Sequence, residues 1–270
     1  MHSPIGIIAG AGQFPIHVAE EAKRQGAAVV GIGIEGWVDP AFASHVEAYE
    51  ELPIGQLKRL IERLKAHQVR HVIMAGKVTK EVLVKAKDRF DAEALAIIIR
   101  AGGNMSANAL LGAVGKRLAR EGMTLMDSSA LLSDSLCPVG VLTKRRPTAD
   151  EERDIRLGAE AARAMAALDV GQTVVVKSGV IVAVEALEGT DAAILRAHGL
   201  AGAGCVVVKT GSKKQDRRFD LPVIGPMTIA TLREASAACL AVEARTTLML
   251  DRAAIVQAAT EAGLCLVGLR

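Results

Sequence analysis

Three short apolar runs punctuate the first third of the chain: IGIIA at 5–9, AAVVGIGI at 27–34 and HVIMAG at 71–76. Between them lie segments with helical spacing. In FPIHVAEEAKRQG (14–26), Phe14, Val18 and Ala22 stand four apart, and Gly26 is placed to end the helix. In GQLKRLIERLKAHQ (55–68), Leu57, Leu60, Ile61 and Leu64 share one face. Two further helical segments, EALAIIIRAG and NALLGAVGKRLAREG, precede a strand at MTLM (123–126). Strands that alternate with helices are joined by crossovers, so the expected fold is α/β, a parallel sheet with helices on both faces.

The pattern breaks at SDSLCPVGVLTKRRPTAD (133–150), which holds two prolines and the triplet Lys144-Arg145-Arg146. This stretch reads as the connection between two domains, 1–134 and 135–270. Thr148 and Glu151 have capping-box spacing and open a long helix expected to run through Leu168. TVVV, the turn Lys177-Ser178-Gly179 and VIVAVEA read as a hairpin. EGTD (188–191), a helix over 191–198 and the strand CVVVK (205–209) follow. The closing segments TIATLREASAACLAVEA, TTLMLD, RAAIVQAATEAG and LCLVGL read as helix, strand, helix and strand. The second domain is thus expected to be α/β with a mixed sheet.

Composition narrows the function classes. With 270 residues, 50% hydrophobic and 23% charged, the chain can bury a large core. Only 2% of residues are aromatic, which leaves few stacking platforms and argues against nucleic-acid partners. A net charge of +3 suits an anionic ligand or membrane surface without demanding either. Cys137, Cys205, Cys239 and Cys265 form no CxxC pair and read as four free thiols of a cytoplasmic protein. No signal peptide or membrane-spanning run is legible.

Four stretches could carry chemistry. GAGQFP (10–15) follows the first strand and opens a helix, where backbone N–H groups can meet an anion. Glu35, ending the second strand, stands where a dinucleotide fold places its ribose-binding acid, but Pro15 replaces the third fingerprint glycine. GGNMSANALL (102–111) offers Asn104, Ser106 and Asn108 as helix caps or ligand contacts. In EGTD, Gly189 and Thr190 can present N–H groups to phosphate, with Glu188 and Asp191 flanking them; a divalent cation would reconcile the acids with a phosphate, and a plain helix start is the alternative. The fourth is KKQDRRFDLPVIG (213–225), with six charged side chains between Lys213 and Asp220. If extended, Lys214, Asp216, Arg218 and Asp220 share a face; if helical, Asp216 and Asp220 align. Pro222 stops any helix beyond. Such a face can hold Mg²⁺ through its acids and phosphate through its cations, with Lys209 joining from the preceding strand. A solvated salt-bridged loop is the alternative.

EGTD at 188, KKQDRRFDLPVIG at 213, AGAGQFP near the start and VEARTTLMLDRAAIVQAATEAGLCLVG at the end occur in the order found in one family. The chain resembles the UDP-2,3-diacylglucosamine pyrophosphatases of the LpxI type over essentially its whole length. The resemblance implies a Mg²⁺-dependent hydrolase of lipid A biosynthesis that yields UMP and 2,3-diacylglucosamine 1-phosphate. It also implies a Rossmann-like first domain, a substrate held between the domains, and an essential acid at Asp220, the Asp of the family's RxDxP motif. On this basis Asp220, Asp191 and Lys209 are expected to be catalytic, and Asp220, Glu188, Asp191 and Asp216 to face the metal. Gly10, Gly12, Gln13, Gly189, Thr190, Lys213 and Arg218 are expected to bind substrate phosphates. The turn at 102–108 departs from the family in lacking acids. A lipid-linked sugar nucleotide is the expected partner; peripheral contact with the inner membrane and a homodimer are compatible with it. A nicotinamide-dependent oxidoreductase and a non-catalytic sugar-nucleotide or lipid-binding protein are the competing classes.

Overall fold

The computed structural model describes residues 3–78, 89–100, 107–211, 216, 218 and 221–270. It divides into two compact units. The first comprises the chain up to Leu132 and also takes in Asp216 and Arg218; the second comprises the rest from Ser133 onward.

The first unit has a five-stranded sheet of β1 (Ile5–Ala9), β2 (Val29–Ile34), β3 (Ala48–Leu52), β4 (His71–Ala75) and β5 (Thr124–Leu125). The strand order is β3-β2-β1-β4-β5 and every pairing is parallel. This is the Rossmann-like arrangement: the chain winds outward from β1 to β3, then restarts on the other side at β4. Ligands of open α/β sheets bind at the carboxyl ends of the strands beside that reversal. Helix α1 (Phe14–Arg24) lies against β1, β2 and β4 and buries Phe14, Ile16, Val18, Ala19 and Ala22. Helix α2 (Leu57–Ala66) sets Leu57, Ile61 and Leu64 among Val30, Ile32, Val72, Met74, Leu118 and Leu125. Each such aliphatic side chain contributes about 1.5–3 kcal/mol on burial. Helices α3 (Ala92–Arg100) and α4 (Ala107–Arg120) complete the unit. Strand β3 is absent from the sequence reading. It lies at the sheet edge and buries only Leu52 of AYEEL, so it lacks the apolar run of a central strand.

In the second unit a six-stranded sheet is ordered β6-β13-β11-β9-β7-β8. Its members are β6 (Gly140–Val141), β7 (Thr173–Lys177), β8 (Val180–Val184), β9 (Val206–Lys209), β11 (Cys239–Glu243) and β13 (Cys265–Leu269). β9, β11 and β13 run parallel; β6, β7 and β8 pair antiparallel, giving the expected mixed sheet. Helix α5 (Ala149–Ala167) covers one face, packing Ile155, Ala159 and Ala162 on Val174, Val176, Val206 and Val208. Helices α6 (Thr190–Ala201), α7 (Pro226–Glu234) and α8 (Arg252–Glu261) cover the other, with Ile194, Leu232 and Ile255 against Val207, Leu240 and Leu266.

Three segments of this unit differ from the sequence reading. Helix α7 ends at Glu234, and Cys239–Glu243, read as part of that helix, is a central strand. Leu248–Met249 (β12) pairs with Val223–Ile224 (β10) in a separate two-stranded sheet. The 133–150 connection contributes β6 to the main sheet. The Thr148 capping box forms as expected, with Thr148 Oγ1 accepting from Glu151 N at 3.2 Å and Glu151 Oε2 accepting from Thr148 N at 2.9 Å. All four cysteines are buried free thiols. Among the described residues, no helix is long and apolar enough to cross a membrane.

The β7–β8 hairpin is held from below. Asp154 of α5 is buried, and its carboxylate accepts from Ser178 N at 2.9 Å and Gly179 N at 2.7 Å. Replacing Asp154 by Ala leaves two turn N–H groups without their acceptor. The expected cost is about 2–3 kcal/mol of stability, read as a shifted urea midpoint. A midpoint equal to wild type would show that solvent satisfies the turn equally well.

Candidate active site

Glu185 follows β8, Gly189 caps α6 at φ +84°, and Thr190 is the first residue of that helix. Thr190 and Lys209, the last residue of β9, are both buried. Lys209 Nζ donates to Thr190 Oγ1 at 2.8 Å. Thr190 Oγ1 in turn donates to Glu185 Oε1 at 2.9 Å. Glu185 Oε2 accepts from Gln172 N at 3.2 Å, and Thr173 Oγ1 lies 3.4 Å from Thr190 Oγ1. Burial alone would raise the Glu185 pKa. The Lys209 cation and the donors Thr173, Thr190 and Gln172 N–H outweigh it and hold the carboxyl below its ordinary value. Lys209, expected from sequence to be catalytic, is a buried partner of the first turn of α6. The single hydroxyl hydrogen of Thr190 is spent on Glu185, so Thr190 can offer a phosphate only its backbone N–H. That N–H lies in the first turn of α6, where backbone donors have no intrahelical acceptor.

The other acids are committed differently. Glu188 Oε1 accepts from Arg196 Nη2 at 2.5 Å and Oε2 from Ala186 N at 3.1 Å. Its own backbone N–H, and then Arg196, hold its carboxyl below the ordinary value. Asp191 stands in the first turn of α6. Asp216 is gripped by Arg218, with Nε on Oδ1 at 2.8 Å and Nη2 on Oδ2 at 2.5 Å, and this fork lowers its pKa. The Arg218 carbonyl accepts from the buried Ser128 hydroxyl at 2.7 Å, which also faces Met74 O of β4 at 2.8 Å. Asp216 and Arg218 thus pair through a turn, in which Arg218 N also donates to Asp216 Oδ1 at 3.2 Å.

Around β1 the glycine turn has a partly different purpose from the one expected. Gly10 N donates to Ala75 O at 2.8 Å, and Ala11 and Lys77 exchange backbone bonds at 2.9 and 3.0 Å. A Cβ on Gly10 would lie 2.6 Å from Lys77 O. Gly10 is therefore a close-approach residue whose N–H is taken by Ala75 O. Gly12 is exposed at φ +92°. Gln13 caps α1 and donates from Nε2 to Asp39 Oδ2 at 2.5 Å. Pro15 occupies the first turn of α1. Glu35, exposed beyond β2, has Arg89 Nη1 at 3.8 Å.

Asp220, Lys213, Lys214, Asn104 and Ser106 lie outside the described residues, as does the Asn108 side chain. Among the described residues, no group of three or more His, Cys, Asp or Glu side chains could hold a metal ion. Glu188 and Asp216, assigned to the metal from sequence, are each turned to an arginine. The described donors therefore do not by themselves fit a resident Mg²⁺. Sequence reading missed Glu185, Thr173 and Ser128. For the first two a signal existed only in strand register, since Thr173 pairs with Lys209 and Glu185 N bonds Thr173 O at 2.8 Å.

A Rossmann-like unit, a mixed-sheet α/β unit and a helix-opening EGTD turn beside a Glu185–Thr190–Lys209 chain of hydrogen bonds define a two-unit α/β protein. The LpxI N-terminal domain model matches residues 4–135 and the LpxI C-terminal domain model residues 138–267. The chain is 30% identical over 278 residues to the UDP-2,3-diacylglucosamine pyrophosphatase LpxI of Caulobacter vibrioides, covering 98% of this chain and 97% of that protein. The chain belongs to the LpxI family. Among solved structures it is similar to a UDP-glucose-4-epimerase from Stenotrophomonas maltophila with bound NAD and formylated UDP-arabinopyranose. That match has 18% identity and a TM-score of 0.29, over 45% of this chain and 35% of that one. The biotin carboxylase subunit of a pyruvate carboxylase matches at 12% identity and a TM-score of 0.28, over 64% and 35%. The chain spans about a third of the length of these two proteins, and no functional conclusion follows from either.

Proposed function

We propose that the protein hydrolyses the diphosphate bond of UDP-2,3-diacylglucosamine, releasing UMP and 2,3-diacylglucosamine 1-phosphate for lipid A biosynthesis. The end-to-end similarity to the Caulobacter pyrophosphatase carries this reading. In the reaction, water oxygen bonds one phosphorus and the bridging oxygen leaves with the other. Positioning and charge neutralisation do most of the work in such transfers. The first turn of α6, with Gly189, Thr190 and Asp191, supplies backbone donors for the diphosphate. Lys213 and Arg218 supply cations, and Asp220 is the essential acid that the family resemblance implies. Mg²⁺ dependence belongs to this proposal on the same resemblance, which implies Asp220 and Asp191 among the acids for the ion. The two acyl chains of the substrate place the enzyme at the inner-membrane surface on its cytoplasmic side, working as a monomer or a homodimer.

The test is UMP release from UDP-2,3-diacylglucosamine in Mg²⁺ and again in excess EDTA. Turnover in Mg²⁺ that falls at least about a hundredfold in EDTA and returns on adding Mg²⁺ is expected. A folded wild-type chain that binds this substrate without releasing UMP in either condition would make it a binding protein instead.

A further inference from the structure

On the hydrolase reading above, we propose that Glu185 is a positioning residue of the reaction: through Thr190 and Lys209 it fixes the EGTD turn against the end of β9. From Lys209 the chain runs on through Thr210 and Gly211 toward the charged stretch that holds Asp220. Glu185 lies outside both motifs that mark the site, yet it joins one to the approach of the other.

Energetics point away from a purely stabilising role. Lys209 is 7% exposed and ends a strand whose Val206, Val207 and Val208 are fully buried, and Val174 and Val176 of β7 are equally buried. Aliphatic side chains in place of charged groups linked through a buried hydroxyl are commonly as stable or more so, because they avoid desolvating the charges. What an aliphatic pair cannot do is set direction. The Thr190 hydroxyl has one hydrogen, and it goes to Glu185 Oε1; its lone pair then receives Lys209 Nζ. Four segments meet at this chain of bonds: the start of β7 through Gln172 and Thr173, the residue after β8, the first turn of α6 and the end of β9. Removing the Glu185 charge takes the charged acceptor from the Thr190 hydroxyl and a nearby negative charge from Lys209. The first turn of α6 then loses its reference to β9. A displacement of about 1 Å at a site that orients a diphosphate costs on the order of a hundredfold in rate.

Glu185→Gln and Glu185→Asp test this. Glu185→Gln is expected to fold, with kcat for UMP release lowered about twentyfold to a hundredfold and KM within about threefold of wild type. Glu185→Asp keeps the charge and is expected to recover most of the lost rate. Independently of turnover, amide exchange at Ala193, whose N–H bonds Gly189 O at 3.1 Å, is expected to quicken about tenfold in Glu185→Gln. A Glu185→Gln enzyme with wild-type kcat and unchanged Ala193 exchange would overturn the proposal. A wild type that releases no UMP would sink the reaction instead, and the exchange measurement would then decide the role of Glu185 by itself.

Discussion

An Asp220→Ala chain is expected to fold like wild type and to release UMP at least about a hundredfold more slowly. The residues on either side of Asp220 explain why the fold should survive. On one side the Arg218 carbonyl is held by Ser128 at 2.7 Å. On the other, Pro222 is buried, its carbonyl accepts from Leu248 N at 2.9 Å, and Val223–Ile224 pairs with Leu248–Met249. None of these contacts uses the Asp220 carboxylate, so they remain when it is removed. Assaying UMP release and thermal unfolding on the same preparation separates loss of chemistry from loss of fold. A variant with more than about a tenth of wild-type activity would remove Asp220 from the chemistry, since loss of an essential charged group costs far more than this.

The largest effect on stability is expected from Gly268→Ala. Gly268 is buried in β13, opposite Gly140 of β6. A Cβ there would fall 1.9 Å from Pro138 O and 3.1 Å from Cys137 Sγ. The first obstacle is backbone, which cannot rotate aside as a side chain can, so the β6 connection must peel from the sheet. A loss of about 4 kcal/mol or more is expected, against total stabilities of about 5–15 kcal/mol. Urea unfolding of the purified variant, or its failure to accumulate in soluble form, is the readout. A loss below about 1 kcal/mol would mean that β6 detaches at little cost.

The fold was most legible where strands are buried on both faces. IGIIA, HVIMA and VVVK have no polar residue to hide before their ends, and each emerges as a strand with nearly the expected limits. The same property hid β11. AACLAV (237–242) is small and apolar throughout, so it carries no period that separates helix from strand, and the reading ran the preceding helix through it. The site was legible in its motifs and opaque in its pairings. Asp216 and Arg218 were read as one face if the stretch were extended; they close on each other through a turn instead. Glu185, Thr173 and Lys209 are far apart in sequence and converge only because β7 pairs antiparallel with both β8 and β9.

The unit that begins the chain does not consist only of the beginning of the chain. Asp216 and Arg218 group with it, while the residues before and after the charged stretch group with the other unit. Dissection at residue 132 would therefore yield an N-terminal fragment whose Ser128 hydroxyl has lost one of its two acceptors, and a C-terminal fragment with a charged loop stripped of its seat. Neither piece is a self-sufficient module, although the family's two sequence domains divide at that place. Split halves of this protein should be tried as a complementation pair, regaining activity on mixing, and not as independent domains.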